Sequence, residues 1–136
     1  MGIDGKYFTR FDFTNEQVMR NLLNAQRDLS IARRDRIPEV KFNYAYSALL
    51  KAGMALLSHH RLKVKSVPGH HVKIIEYLAG KLGDESIAEI GNVMRNKRNL
   101  DLYAGGTDVT GKECAEYFAL VEKVVSKVKG IIEQDK

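Results

Sequence analysis

Apolar residues recur every three or four positions through most of this chain, and only two prolines interrupt its 136 residues. Such spacing places apolar side chains on one face of a helix. The pattern predicts five helices: Thr14 to the Arg33–Arg36 run, Pro38 to about His60, His71 to Leu82, Ser86 to Tyr103, and Thr110 to Gln134. Helices with one apolar stripe and short connections bury that stripe only against each other. We therefore expect an all-α, up-and-down bundle of about five helices.

Two segments lack the helical period. Residues 1–13 hold glycines and aromatic side chains, and we interpret them as an irregular N-terminal leader strapped onto the domain. The segment Arg61 to Gly69 alternates basic and apolar residues and ends in Pro68-Gly69, which is typical of a turn. We interpret it as a basic connecting loop. The length of 136 residues is that of one ordinary domain, so we expect a single domain over residues 1–136.

The charge balance is compatible with an anionic partner. Lys and Arg total 22 against 17 Asp and Glu, a formal net charge of +5. The surplus lies mainly between Lys51 and Lys81 and beside Arg95 and Arg98, although solvated faces would give the same pattern.

One cysteine and no signal-peptide pattern predict a cytoplasmic protein. No apolar stretch approaches the roughly 20 residues that cross a bilayer, so we expect no membrane association.

The end of the fourth helix offers the clearest chemistry. On a helix, Arg95, Arg98 and Asn99 lie along one side, so two guanidinium groups and an amide converge. A guanidinium fork binds phosphate oxygens bidentately, and an asparagine can bond a phosphate or a base edge. The same residues also fit an exposed polar helix end whose cations lie near the carbonyl terminus. Local composition leaves both interpretations open.

The motif Arg98-Asn99-x-x-x-Tyr103 resembles the signature of the HEPN superfamily, in which an arginine, often followed by asparagine, precedes a histidine. Tyr44-Ala45-Tyr46 with its alanine-rich continuation is similar to that family's second helix, and Pro68-Gly69-His70-His71-Val72 is similar to the start of its third. The resemblance spans residues 14–132. It implies a helical bundle, usually a homodimer, whose paired fourth-helix motifs bind or cut RNA without metal. It also implies a nucleotidyltransferase partner in a toxin–antitoxin pair.

The motif histidine itself is missing. Tyr103 stands in its place, and no other spacing from Arg95 or Arg98 supplies a histidine. Metal-free RNA cleavage needs a base for the ribose 2′-hydroxyl, and a free tyrosine is mostly protonated at neutral pH. Tyr103 can still donate to a phosphate or stack on a base. The predicted site has Arg98 and Tyr103 as candidate catalytic residues, and as candidate phosphate-binding residues Arg95, Arg98, Asn99, Lys63, Lys65, His70 and His71.

These residues predict a protein that binds RNA or a nucleotide. One alternative is a non-catalytic module that docks a nucleotidyltransferase partner. Another is an active, metal-independent ribonuclease with an altered site, in which His70 or His71 replaces the missing base.

Two pairs of adjacent histidines flank the basic loop, His59-His60 and His70-His71. Adjacent helical residues point about 100° apart, so each pair would offer one ligand to a shared zinc ion. No acid or thiol lies near in sequence to complete such a site, and we predict no metal and no cofactor. Cys114 lies on the apolar stripe of the last helix and is interpreted as a buried thiol.

Overall fold

Five α-helices and one small sheet form the fold in a computed structural model that describes residues 4–103 and 109–135. The helices are α1 (Asn15–Arg34), α2 (Pro38–His59), α3 (His70–Leu82), α4 (Glu85–Tyr103) and α5 (Gly111–Gln134), and the strands are β1 (Phe8–Arg10) and β2 (Leu62–Val64). The all-α bundle that the apolar spacing predicts is confirmed. Within the described ranges, none of the helices combines the length and the apolar character that a membrane crossing needs.

The helix ends follow local chemistry. Thr14 caps α1, because its hydroxyl accepts from the Gln17 backbone N–H while the Gln17 side chain accepts from the Thr14 N–H. An equivalent capping box between Thr110 and Glu113 opens α5. Gly83 closes α3 in the left-handed conformation that favours glycine, with φ of 64°. The start of α1 at Thr14 and the end of α3 at Gly83 therefore agree with the signals in the sequence.

Helix α2 lies at the centre of the bundle, and each of the other four helices packs on it. Small residues permit close approach between helices. A methyl group at Gly53 of α2 would overlap Cγ2 of Ile74 on α3, and one at Gly91 of α4 would lie 2.7 Å from Cγ2 of Ile75. The two glycines therefore let α3 pack tightly against both α2 and α4. This packing fixes the separation between the start of α3 and the face of α4.

The carboxylate of Asp28 on α1 is buried in the core, with only 2% of the residue exposed. The Lys51 ammonium lies 2.6 Å from its Oδ2, and the Ser47 hydroxyl donates to the same oxygen at 2.7 Å. Both partners belong to α2. The ion pair and the hydrogen bond therefore compensate the buried charge of Asp28, and they fix the position of α1 along α2.

The leader and the basic loop differ from the irregular structure that the sequence predicts. Strands β1 and β2 pair antiparallel, with Phe8 opposite Val64 and Arg10 opposite Leu62. The alternation of basic and apolar residues that we interpret as a loop is the period-two pattern of this short strand. Phe8 and Leu62 are buried, and the Phe8 ring packs against Tyr77 of α3 with ring centroids 5.8 Å apart. The sheet thus attaches the leader to the side of α3.

Candidate functional site

A groove of about 520 Å³ lies between the start of α3 and the second half of α4. Residues 66–72 form one wall, and Arg95 and Asn99 form the other. The groove therefore joins two segments that are separate in sequence, the histidine pair that opens α3 and the basic stretch of α4. No acidic side chain is among the described residues that line it.

The first turn of α3 forms part of the groove wall. Gly69 precedes it with φ of 85°, a left-handed conformation that glycine adopts without strain, and no side chain caps this end of the helix. The Nδ1 atom of His70 lies 2.8 Å from the Val67 carbonyl oxygen. Because a carbonyl only accepts, Nδ1 carries a proton and Nε2 is the ring nitrogen left for a ligand. The uncapped backbone N–H groups add partial positive charge to the same wall.

His71 contacts the bundle centre through Tyr46 of α2. Its Nδ1 lies 3.3 Å from the Tyr46 hydroxyl oxygen. Burial lowers the pKa of His71, and the nearby charges of His70, Arg98 and Arg95 lower it further. Burial also raises the pKa of Tyr46 to about 12 against the opposing effect of the two arginines. At neutral pH the imidazole is therefore neutral and the phenol keeps its proton.

Arg95 and Arg98 supply the positive charge of the site. The Arg98 guanidinium carbon lies 5.8 Å from the centroid of the Tyr46 ring, within cation–π range. Nε of Arg95 is buried and has no hydrogen-bond partner among the described residues, and the same holds for Oδ1 of Asn92 one turn earlier. A buried polar group without a partner costs about 1–3 kcal/mol. Arg95 also lines the groove, where its guanidinium would meet a bound anion.

Four of the candidate residues lie together in the structure, because Arg95, Asn99, His70 and His71 all line the groove. Arg98 stands beside them on Tyr46. Sequence reasoning missed Tyr46 as part of the site. A tyrosine on an alanine-rich helix is typical of core packing, and only the fold places it next to His71.

The two lysines of the basic loop do not join this group. Lys63 and Lys65 are absent from the described lining of the groove. The Lys63 ammonium lies 5.2 Å from the centroid of the Phe11 ring, and the Lys65 ammonium donates to the Gly5 carbonyl at 2.7 Å. Pairing of β2 with β1 directs both side chains to the leader instead. Tyr103 ends α4, and its side chain lies outside the described residues, as do all side chains of residues 100–103.

The other histidine pair lies apart from the groove. Nε2 of His59 is 2.8 Å from a carboxylate oxygen of Asp135, and Nδ1 of His60 bonds the Tyr77 hydroxyl. In the part of the chain that the structure describes, no group of three or more His, Cys, Asp or Glu side chains could hold a metal ion. Cys114 is buried, and burial raises the pKa of its thiol, so it is not an activated nucleophile.

No family model matches the chain, and neither a curated protein nor a solved structure matches it significantly. The fold is an all-α bundle, and the described lining of the groove between its third and fourth helices holds basic and no acidic side chains.

Proposed function

We propose that this chain is a HEPN-like protein that binds RNA or a nucleotide through a phosphate held between α3 and α4. The convergence of Arg95 and Asn99 with His70 and His71 in one groove carries the proposal. These side chains belong to the two segments that resemble the HEPN third and fourth helices. The two segments resemble HEPN only through short motifs, and their contact in the fold gives the proposal support that does not depend on those motifs.

The groove supplies hydrogen-bond donors and positive charge that would compensate a phosphate for its lost hydration. The Arg95 guanidinium is a planar fork of donors, and its buried Nε has no partner among the described residues. The uncapped start of α3 favours negative charge at the opposite wall. Asn99 adds an exposed amide that can bond a phosphate or a base edge. The described lining holds no carboxylate that would repel the ligand.

Binding of single-stranded RNA to the full chain tests this proposal. We expect fluorescence anisotropy to show binding that weakens as salt rises, because phosphate contacts release counterions. Arg95→Ala should weaken binding by about 10- to 100-fold, the range for a lost hydrogen bond to a charged group. Lys63→Ala is the matched control, since it removes the same charge outside the groove. Equal losses in the two variants, or no binding by the unmodified chain, would contradict the proposal.

The HEPN resemblance supports a homodimer in which two copies of α4 face each other. On α4, Val93 is 46% exposed, and an exposed apolar side chain is compatible with contact between two copies. Light scattering after size exclusion should show a dimer for the unmodified chain and a monomer for Val93→Glu. A nucleotidyltransferase partner in a toxin–antitoxin system rests on the resemblance alone. If RNA fails to bind, a module that docks such a partner becomes the better hypothesis.

A metal-independent ribonuclease is a second candidate function, and the position of His71 favours it. The ring is neutral at pH 7 because burial and the two arginines lower its pKa. When its Nδ1–H donates to the Tyr46 oxygen, Nε2 is free to accept the proton of a ribose 2′-hydroxyl. Cleavage of labelled RNA in the presence of EDTA should then be lost in His71→Ala and on a 2′-deoxy substrate. Cleavage that survives His71→Ala would remove this role from His71.

A further inference from the structure

We infer that the groove recognises a terminal phosphate, a phosphate monoester at the end of an RNA strand or on a free nucleotide, in preference to the internal phosphodiesters of a strand. The inference rests on the proposed function and narrows it to one ligand chemistry. Two features lead to it. The donors converge on one short groove, and the neighbouring described lysines are engaged elsewhere.

The number and direction of the donors favour a monoester. Arg95 lines the groove and offers the donors of its guanidinium fork. Across the groove stand the two imidazoles and the first turn of α3, which no side chain caps and in which the His70 N–H already donates to the Val67 carbonyl. A phosphate monoester presents three terminal oxygens and up to two negative charges. An internal diester has one charge and two unbridged oxygens, so it cannot satisfy donors on both walls equally well.

In the tautomer that carries its proton on Nε2, His71 can act as one of these donors. The Tyr46 phenol keeps its proton and can donate it to Nδ1 of His71 at 3.3 Å. In that arrangement the neutral ring carries its own proton on Nε2, which is free to donate to a phosphate oxygen. Tyr46 therefore positions the imidazole. The contact therefore does not require the His71 ring, which lies near the charges of Arg95 and Arg98, to take up a second proton.

The lysines near α3 do not extend the groove into a path for a polymer. Lys63 and Lys65 are engaged with the leader. The Lys73 ammonium lies 3.3 Å from a carboxylate oxygen of Glu76 and 3.6 Å from one of Asp4. A strand leaving the groove along α3 would thus meet cations that already have partners. The groove is open to the surface, and its volume of about 520 Å³ is that of sites that bind one small molecule.

Three versions of one short single-stranded RNA test the inference, with a 5′-phosphate, a 3′-phosphate or hydroxyls at both ends and a dye on an internal base. We expect the full chain to bind at least one phosphorylated version about 10-fold or more tighter than the hydroxyl version, a difference of about 1.4 kcal/mol. The salt dependence should correspond to one or two phosphates, at a slope of about −0.7 for each. Adenosine monophosphate and inorganic phosphate should compete with the phosphorylated strand. Competition by adenosine monophosphate as strong as that of the phosphorylated strand would assign the site to a free nucleotide.

Arg95→Lys keeps the charge and removes the fork, so it should abolish most of the preference for the phosphorylated strand. Lys63→Ala should leave the preference intact. Equal affinity for all three strands, with a salt slope of several phosphates, would overturn the terminal-phosphate inference and leave RNA binding standing. Absence of binding by any strand or by adenosine monophosphate would overturn the proposed function itself. The comparison of the three RNA strands uses the unmodified chain, so it does not depend on whether a variant folds.

Discussion

Replacing Gly53 of α2 by alanine should destabilise the bundle, although alanine is the better helix former. Helix propensity alone favours the substitution by about 1 kcal/mol. The added methyl group would overlap Cγ2 of Ile74 and lie 3.3 Å from Cδ1 of Leu78, and both side chains are fully buried. Overpacking of a close-packed core costs about 1–3 kcal/mol, and this position has no free volume, so we take the upper value. The expected net loss is about 2 kcal/mol.

Equilibrium unfolding in urea, followed by far-UV circular dichroism, measures this loss. Gly130→Ala on α5 is the matched control, because a methyl group there would meet nothing within 4 Å. That variant should gain about 1 kcal/mol from propensity alone. Ile74→Leu removes the branching methyl group at nearly constant volume, so the double variant with Gly53→Ala should recover most of the loss.

Overpacking at Gly53 is refuted if Gly53→Ala is as stable as the unmodified chain while Gly130→Ala shows its expected gain. It is also refuted if Gly53→Ala and Ile74→Leu are additive, because the overlap of these two groups predicts a favourable coupling in the double variant.

Three further outcomes follow from particular contacts. Lys51→Met should cost about 3 kcal/mol in urea unfolding, because it leaves the buried Asp28 carboxylate without its counter-ion. Thr110→Ala should cost about 1 kcal/mol in the same assay through loss of the α5 capping box. Burial lowers the pKa of His60 and His71 from the ordinary 6.5. Below pH 6.5 these two histidines therefore bind protons in the unfolded chain but not in the folded chain. The free energy of unfolding should fall as the pH drops, until the pH is below the lowered pKa values of the folded state. Replacing both rings by glutamine should flatten the unfolding free energy measured between pH 7 and pH 5.

The helices could be predicted because their signals are local and repeated. Each apolar stripe extends over several turns, and the capping residue Thr14 and the terminating Gly83 lie within a few residues of the ends that they define. The two strands have three residues each, too few for an alternating pattern to stand out. Their pairing also depends on contacts between segments far apart in the chain. The sequence therefore predicts the bundle and misses the sheet.

Four residues that line the groove could be named from the sequence, but their arrangement could not be predicted. Arg95 and Asn99 stand out by helical spacing, and the pair at the start of α3 by its chemistry. Their meeting depends on how closely α3 packs on α4, which Gly91 and Ile75 determine through a contact that no local pattern reveals. Tyr46 joins the site for the same reason, since α2 brings it beside His71 only after the bundle has formed.

The pairing of β1 with β2 connects the groove wall to a strand at a distance from it, so amide exchange in that strand can report ligand binding. The Lys65 N–H donates to the Tyr7 carbonyl at 2.7 Å, and the groove wall begins at the next residue, Ser66. Opening this sheet breaks only a few backbone hydrogen bonds and leaves the helices in place, so its amides should exchange with solvent well before the bundle unfolds. A ligand that holds the groove wall in position must oppose that opening. Binding should therefore slow amide exchange in β1, a strand that lines no part of the groove.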